Sequence, residues 1–198
     1  MPKSKYYEEG FNPDDISIRV SEMLVATADS SDELIDGAVT EMLQLLRQRL
    51  EMDVVFVSEF VNGQRVMRYV DAPQDKPVMS VGQSDPLEQT WCRHVVDGRI
   101  PPVIENVATF PGKAKLPPAP FDIGTYLSAP ILMHDGQVYG TLCCLSFSPH
   151  GSVHARDLKN LKSMALLVAK KVDKKSSSSG TDTSGAPLTL QPKESTRL

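Results

Sequence analysis

Asn62 and Gly63 form the strongest turn signal in this 198-residue sequence. They lie between the apolar, strand-length segments 54–61 and 65–70, and both residue types tolerate the positive φ of a tight turn. Two strands joined by so short a turn must pair antiparallel. The sequence therefore predicts a β-hairpin in the first half of the chain.

A second hairpin is predicted around Asp135 and Gly136, between the strand-like segments 126–133 and 138–147. Apolar and polar residues do not alternate cleanly in these two segments, which is typical of strands that are buried on both faces. We therefore expect an antiparallel sheet that is covered on both sides.

Helices should provide that cover, because apolar residues recur at intervals of three and four outside the hairpins. This periodicity predicts helices over 13–24, 30–49 and 154–174. The Ser-Asp-Pro start signal at 84–86 predicts a shorter helix over 87–96, and a proline-rich loop follows at 109–120.

The order of these elements predicts an α+β fold with three layers. Helices from both ends of the chain can cover one face of the antiparallel sheet. The short middle helix and the proline-rich loop are then left to cover the other face. Such a helix-plus-loop lid leaves room for a pocket beneath it.

The chain is predicted to form a single domain with two loose ends. Residues 13–174 carry the apolar periodicity, and residues 1–12 are expected to be flexible. Residues 175–198 are rich in Ser, Gly and Pro and bury too little apolar surface to offset the entropy of ordering them. They are expected to form a disordered tail.

Charge and hydropathy exclude several classes of partner. The formal net charge is -4, which gives no electrostatic footprint for nucleic acid or an anionic membrane. No apolar stretch reaches the ~20 residues of a membrane span, and the first residues lack the apolar core of a signal peptide. A cytoplasmic protein that binds neither nucleic acid nor membrane is expected.

The three cysteines, Cys92, Cys143 and Cys144, do not form a disulfide framework. Cys143 and Cys144 are adjacent in a predicted strand, so their side chains should point to opposite faces of the sheet. We expect reduced thiols, as in a cytoplasm.

Three segments of the sequence resemble the GAF domain family. Segment 88–107 has an aromatic-Cys helix followed by a proline and an apolar strand, 123–131 has an apolar strand, and 136–145 contains Gly-Thr-Leu-Cys. The resemblance covers about 31–173 and is to bacterial sensory modules found beside histidine kinase and cyclic-dinucleotide signalling domains. Asn106 departs from the family pattern, which often has Asp at this position.

The resemblance implies a GAF/PAS-like module that binds a small ligand, signals to a partner protein and forms a homodimer. Apolar residues on two sides of the last predicted helix also favour a dimer, because one sheet face cannot cover them all. These residues are Leu158, Leu161, Leu166 and Leu167.

The candidate ligand-binding residues are the aromatic and polar side chains predicted to lie in or near the lid. They are Trp91, Cys92, His94, Phe110, Phe121 and Tyr126. Small-molecule pockets are often lined by aromatic side chains. Trp91 fits a pocket wall and the hydrophobic core equally well.

No metal site and no identified cofactor are predicted. Cys92 and His94 diverge by ~200° on a helix and cannot bind one metal ion together. Bilin-binding GAF domains have His directly after the Cys, and here Arg93 intervenes. No partner can be named to orient His94 toward a haem, so this histidine is interpreted as bonded to backbone or solvent. The ligand's identity stays open.

Three functions compete. A non-catalytic sensory module is preferred. A thiol redox enzyme that acts through Cys92, similar to the free methionine-(R)-sulfoxide reductases of the GAF fold, is the first alternative. A ligand-free dimerisation scaffold is the second. Cys92 is preferred as a small buried apolar residue over a reactive thiol, because free cysteines are usually structural. Cys92 is the one cysteine of the lid, and no resolving thiol is expected near it.

Overall fold

The computed structural model describes residues 32–150, 153 and 155–178, and within them six strands form one antiparallel sheet. The strands are β1 (Val54–Val61), β2 (Gln64–Asp71), β3 (Ser84–Pro86), β4 (Val103–Ile104), β5 (Thr125–Leu132) and β6 (Val138–Ser146). Their order across the sheet is β3-β2-β1-β6-β5-β4. Pairing of β1 with β6 therefore joins the two predicted hairpins side by side at the centre.

Helices lie on both sides of this sheet. They are α1 (Asp32–Leu50), α2 (Trp91–Val96) and α3 (Ala155–Ser178). The predicted helix over 13–24 lies outside the described residues. None of the helices that the structure describes is long and apolar enough to cross a membrane.

The first hairpin turn has the predicted geometry. Asn62 has φ 51° and Gly63 has φ 72°, so both turn residues adopt the left-handed conformation. A two-residue turn with two positive φ angles matches the right-handed twist of the strands that it connects. The β1–β2 ladder also contains a register shift between Val57 and Ser58.

The side chains of the central strands are buried on both faces, as the sequence predicts. One core lies between the sheet and the helices α1 and α3. It includes Met42, Leu43, Val55, Val57, Leu127, Leu142, Leu161 and Val168. The other lies between the sheet and the lid. It includes Phe56, Met67, Trp91, Cys92, Tyr126, Cys143 and Leu145.

Cys143 and Cys144 belong to opposite cores. Cys143 packs on the lid side of β6 and Cys144 on the helix side, and all three cysteines are buried free thiols. The prediction that these neighbours point to opposite faces of the sheet is confirmed.

The predicted start of the lid helix is wrong. The Ser-Asp-Pro segment 84–86 forms strand β3, which pairs with 64–66 of β2. A 3-10 turn over Leu87–Gln89 follows, and α2 begins only at Trp91. Proline is compatible with β3 because this strand lies at the edge of the sheet, where no ladder partner needs its missing N–H.

The last helix differs from prediction at its end and in its packing. α3 continues to Ser178, beyond the predicted end at residue 174. Leu161 is fully buried in the helix-side core and Leu167 packs against that core, whereas Leu166 is 57% exposed. The sheet therefore covers more of the apolar surface of α3 than the sequence indicates.

Candidate functional site

The lid consists of α2 and the proline-rich loop that follows it, and Trp91 connects the two. The indole N–H of Trp91 donates a hydrogen bond to the carbonyl oxygen of Pro117, with an N···O distance of 2.7 Å. Its ring meets the Tyr126 ring edge-on, with centroids 5.2 Å apart. Trp91 thus joins the helix, the loop and the sheet.

Thr90 holds the lid helix at its start. Its hydroxyl accepts a hydrogen bond from the Arg93 N–H at 3.3 Å and donates one to the Leu87 carbonyl oxygen at 2.7 Å. A capping hydroxyl satisfies a helix N–H that has no intrahelical acceptor. Thr90 is buried, so water cannot easily replace these bonds.

We expect Thr90→Ala to lower the free energy of unfolding by about 1 kcal/mol, because it removes this cap. For a domain of this size the thermal midpoint should fall by about 2–4 °C. Thr90→Ser retains the hydroxyl and is the matched control. If the alanine variant has the same thermal midpoint as the serine variant and the wild type, the cap does not stabilise the lid.

A cavity of about 70 Å³ lies between the lid and the sheet. Among the predicted ligand-binding residues, Trp91, Phe121 and Tyr126 line it. The sheet contributes Phe56, Arg65 and Met67 to its floor. The cavity is therefore aromatic on several sides and has one cationic side chain, Arg65, beside one acidic side chain, Asp85.

A larger space of about 390 Å³ lies on the outer side of Phe121, but it is an open surface depression. Its walls are mostly apolar, and Lys76 and Asp122 are the charged residues among those that line it. The smaller cavity is the stronger candidate for a binding site, because it lies beneath the lid and combines aromatic walls with convergent polar groups.

Arg65 is the charged residue at the centre of the site. Only 16% of its side chain is exposed, and it forms an ion pair with Asp85. Its Nη1 donates to Cys92 Sγ at 3.6 Å, and its guanidinium lies 5.9 Å from the centroid of the Phe56 ring. Its Nε has no hydrogen-bond acceptor among the residues that the structure describes. Arg65 thus has a donor left for a ligand.

Cys92 and Cys143 lie side by side, with their sulfur atoms 3.7 Å apart. The expectation that Cys92 lacks a neighbouring thiol is therefore wrong. Cys143 is 51 positions away in the sequence, and only the packing of α2 on β6 brings it close. Both side chains are fully buried.

Hydroxyl groups surround the two sulfur atoms. The Tyr126 hydroxyl lies 3.6 Å from Cys92 Sγ and 3.5 Å from Cys143 Sγ. Cys143 Sγ also lies 3.2 Å from Ser128 Oγ and 3.3 Å from Thr141 Oγ1. The thiols therefore occupy a buried polar cluster on the lid face of the sheet.

The environment separates the pKa values of the two thiols. The hydrogen bond from Cys143 lowers the pKa of Cys92 well below its ordinary value; burial opposes this effect and the charge of Arg65 adds to it. Burial raises the pKa of Cys143 well above its ordinary value, and the bond to Cys92 raises it further. This arrangement favours a thiolate at Cys92 beside a protonated Cys143.

Arg65 and Tyr126 complete this electrostatic arrangement. Burial alone would lower the pKa of Arg65, but negative charge at Cys92 and Asp85 outweighs burial and raises it. Burial also raises the pKa of Tyr126, so the phenol keeps its proton and can donate a hydrogen bond to sulfur. Arg65 therefore stays charged next to Cys92.

The remaining predicted ligand-binding residues lie away from the cavity wall. Cys92 lies behind it, in contact with Arg65 and Tyr126. His94 is partly exposed on α2, and Phe110 packs at the edge of the lid-side core. Neither of these two residues lines the cavity.

Sequence reasoning missed the contribution of the sheet floor to the site. Arg65 shares a face of β2 with the buried Met67, two residues away, and that spacing is a signal that it points inward. Cys143 lies in a strand whose pattern predicts burial on both faces, and no sequence signal links it to Cys92.

The described residues contain no cluster of three or more His, Cys, Asp and Glu side chains that could hold a metal ion. The two cysteines on the lid face are accompanied by hydroxyls and a guanidinium, which are not the ligands of a tetrahedral zinc site.

Comparisons with solved structures show the same fold in proteins with different functions. A GAF domain from an Acinetobacter phosphoenolpyruvate-protein phosphotransferase has a TM-score of 0.64 at 13% identity, with 88% of this chain and 100% of that chain covered. The phycoerythrobilin-bound GAF domain of a cyanobacterial phytochrome has a TM-score of 0.63 at 14% identity, with 86% and 99% covered.

An enzyme with this fold is similar to the same degree. Free methionine-R-sulfoxide reductase from Neisseria meningitidis, in complex with its substrate, has a TM-score of 0.61 at 14% identity. The alignment covers 85% of this chain and 96% of the reductase. No curated protein matches the sequence. Identities this low show a shared fold and leave the function open.

The family itself is shown by the sequence match together with the architecture. The sequence model of the GAF domain matches residues 28–173, which span the whole sheet, the lid and most of α3. The six-stranded sheet with helices on one face and a lid on the other agrees with that match. The chain belongs to the GAF domain family.

Proposed function

We propose that this chain is a non-catalytic sensory module that binds a small ligand beneath the lid and signals to a partner protein. The observation that carries the proposal is the aromatic cavity under α2, with the charged Arg65 in its floor. Aromatic walls hold a flat or apolar ligand, and a guanidinium binds an acidic group on it.

Ligand entry requires the lid to move. The closed cavity of about 70 Å³ has room for a few water molecules, whereas ligand sites usually have at least ~300 Å³. The lid has only a short helix, with 3-10 turns at Val107–Thr109 and Lys113–Lys115 in its loop. Closure on a ligand would order this segment and change the surface that a partner meets.

We expect a ligand to change the fluorescence of Trp91, the only tryptophan, because its ring lines the cavity and spans the lid. A panel of organic acids, amino acids and cyclic nucleotides should be screened by this emission. Hydrogen exchange with the best compound should then slow between 84 and 126. A confirmed ligand that protects only α1 and α3 and leaves Trp91 emission unchanged would contradict the site.

Arg65→Met should weaken that ligand at least about tenfold, because a hydrogen bond to a charged group contributes ~1.5–3 kcal/mol. The matched control is Arg68→Met on the same strand, since Arg68 is exposed and pairs with Glu59. Equal losses in both variants would exclude a specific role for Arg65.

Thiol redox catalysis is the second candidate, and the Cys92–Cys143 contact favours it. A resolving thiol next to a nucleophilic thiolate is what a disulfide-forming reductase needs. Turnover of free methionine sulfoxide with a dithiol reductant is the test. Activity that is lost in Cys92→Ala would make the protein an enzyme, and its absence in the wild type would exclude this reaction.

A homodimer through the terminal helices remains part of the proposal, and the exposed Leu166 on α3 supports it. Leu166→Glu should shift the mass measured by light scattering at micromolar concentration from dimer toward monomer. Lys162→Glu, on an exposed position of the same helix, is the control for added charge. A monomer mass for the wild type would refute the dimer.

We place this module in a bacterial cytoplasm, working with kinase or cyclic-dinucleotide signalling domains. The net charge of -4 and the three free thiols support the compartment. A ligand-free scaffold is the outcome if native mass spectrometry of freshly purified protein finds a dimer without any bound molecule and the screen finds none.

A further inference from the structure

At one point of contact between the lid and the sheet, two cysteine sulfur atoms face each other. Cys92 lies in the first turn of α2, and Cys143 lies in β6, which is a central strand. Their Sγ atoms are 3.7 Å apart, and a disulfide bond needs about 2 Å. A shift of the short helix by less than 2 Å would bring the atoms to bonding distance.

We propose that Cys92 and Cys143 form a hydroperoxide-oxidisable dithiol whose disulfide locks the lid onto the sheet. The bond would join two residues 51 positions apart and connect the one movable layer to the rigid one. A closed disulfide would therefore hold the lid shut and restrict access to the cavity. Formation of the Cys92–Cys143 disulfide does not require that a ligand binds.

The surroundings of the two sulfur atoms assign different roles to them. Arg65 Nη1 and the Tyr126 hydroxyl both donate to Cys92 Sγ, which stabilises a thiolate there. Cys143 contacts only neutral groups, the hydroxyls of Ser128, Thr141 and Tyr126, besides Cys92. Cys92 is thus the nucleophile, and Cys143 is the thiol that attacks second.

The oxidation proceeds in two steps. The Cys92 thiolate attacks one oxygen of the hydroperoxide, so that an S–O bond forms, the O–O bond breaks, and the departing oxygen takes up a proton as water or alcohol. The Cys143 thiol then attacks the sulfenic sulfur. An S–S bond forms, the S–O bond breaks, and the hydroxide leaves as water with the thiol proton. A dithiol reverses the change by exchange.

The cavity lies next to these buried sulfur atoms, although neither cysteine is part of its wall. Arg65 and Tyr126 line the cavity and also contact Cys92 Sγ. Its volume of about 70 Å³ suits a molecule the size of hydrogen peroxide. Larger hydroperoxides would need the lid to open first.

Cys144 is a built-in control. It is next to Cys143 in the same strand and equally buried, but it lies in the core on the other face of the sheet. Burial, with the carboxylate of Asp157, raises the pKa of its thiol. Among the described residues, no hydrogen bond or ion pair joins Cys144 to a cation or to another thiol, so it should stay reduced.

The test treats the full chain with hydrogen peroxide, unfolds it and alkylates the remaining thiols. We expect a mass loss of about 2 Da, one alkylated cysteine at Cys144, and a Cys92–Cys143 crosslinked peptide. Cys144→Ala should form the same crosslink, whereas Cys92→Ala and Cys143→Ala should not. In Cys143→Ala a sulfenic acid at Cys92 should be trapped by dimedone. Three alkylatable thiols in the treated wild type, or a crosslink through Cys144, would overturn the proposal.

Two further measurements test the role of Arg65 and the locking of the lid. Arg65→Met should slow peroxide oxidation at least about tenfold relative to Arg68→Met, because it removes the guanidinium that donates to Cys92 Sγ, and the thiolate fraction falls tenfold for each unit by which a thiol pKa rises above the pH. Hydrogen exchange over 84–121 should be slower in the oxidised protein than in the reduced one. Equal oxidation rates in the two variants, or equal exchange in the two redox states, would refute the mechanism.

These outcomes are independent of the sensory function. The oxidation experiment contains no ligand, so a protein that binds nothing in the fluorescence screen can still form the disulfide. A protein that binds a ligand through Arg65 but keeps three thiols under peroxide would leave the sensory proposal intact and remove the dithiol lock.

Discussion

Gly140→Ala is expected to lower the free energy of unfolding by about 3 kcal/mol or more and the thermal midpoint by about 6–12 °C. A Cβ at position 140 would overlap the carbonyl oxygen of Ser58 in the adjacent strand. It would also lie 2.7 Å from the Ser58 carbonyl carbon and 2.9 Å from Glu59 Cα. These are backbone atoms, so the overlap cannot be relieved by a rotamer change.

The effect should be large because Gly140 belongs to the central pairing of the sheet. It lies opposite Glu59 in the β1–β6 ladder, which joins the two hairpins. Displacing one strand there disturbs both the helix-side core and the lid-side core.

Gly37→Ala is the matched control and should change stability in the opposite direction. Gly37 lies in α1, and a Cβ there would have no atom within 4 Å among the described residues. Alanine in a helix interior is more stable than glycine by about 0.5–1 kcal/mol. Thermal unfolding of both variants is the measurement. A Gly140→Ala protein that melts within about 2 °C of the wild type would show that β1 and β6 are not packed this closely.

Leu161→Ala should also be strongly destabilising, by about 3 kcal/mol within the 2–5 kcal/mol range of buried leucines. Leu161 is fully buried between α3 and the sheet and belongs to the same core as Leu127 and Leu142. Truncation removes apolar contacts and leaves a cavity in a layer that cannot collapse freely, because rigid strands form its floor.

Leu166→Ala is the control for Leu161→Ala, because it makes the same substitution on the same helix at a position that is 57% exposed. We expect a change within about 0.5 kcal/mol. Chemical denaturation of both variants under dimer-free conditions gives the comparison. Similar losses for the two leucines would mean that α3 packs with a different face against the sheet.

This pair of leucines also shows which position on α3 can carry a charge in a test of the dimer. Charged substitution of Leu161 would unfold the domain, because an unpaired charge would be buried in its core. Leu166 is the position where a charge changes only the surface. The apolar periodicity of 154–174 predicts a helix correctly, but it does not show which of the four leucines on its two sides the sheet covers.

Local chemistry explains the parts of the fold that could be predicted. Asn62 and Gly63 both adopt positive φ, which Asn and Gly tolerate better than other residues, so the first hairpin is readable from two residues. The second hairpin, the burial of its strands on both faces and the division into a helix side and a lid side follow from apolar patterns within short segments. The opposite orientations of Cys143 and Cys144 follow from the two-residue period of a strand.

Errors arose where the same local signal fits two structures. Residues 84–86 carry a helix-start pattern, yet they form an edge strand because β2 offers an unpaired edge beside them. In a short segment the pairing partner decides between helix and strand, and that partner is 20 residues earlier in the chain. The true cap, Thr90, is a weaker sequence signal whose hydroxyl is fixed by its contacts with Leu87 and Arg93.

Patterns within short segments are enough to predict the α+β class, the two hairpins, the apolar faces and the aromatic-Cys segment of the lid. The packing of α2 on the sheet brings Cys92 to Cys143, and it places Arg65 in contact with both the cavity and a sulfur atom. The physical reason is the range of the interactions. Turns and periodicities depend on neighbours in sequence, whereas the site depends on the β1–β6 register and on how α2 seats against the sheet, which no short segment encodes.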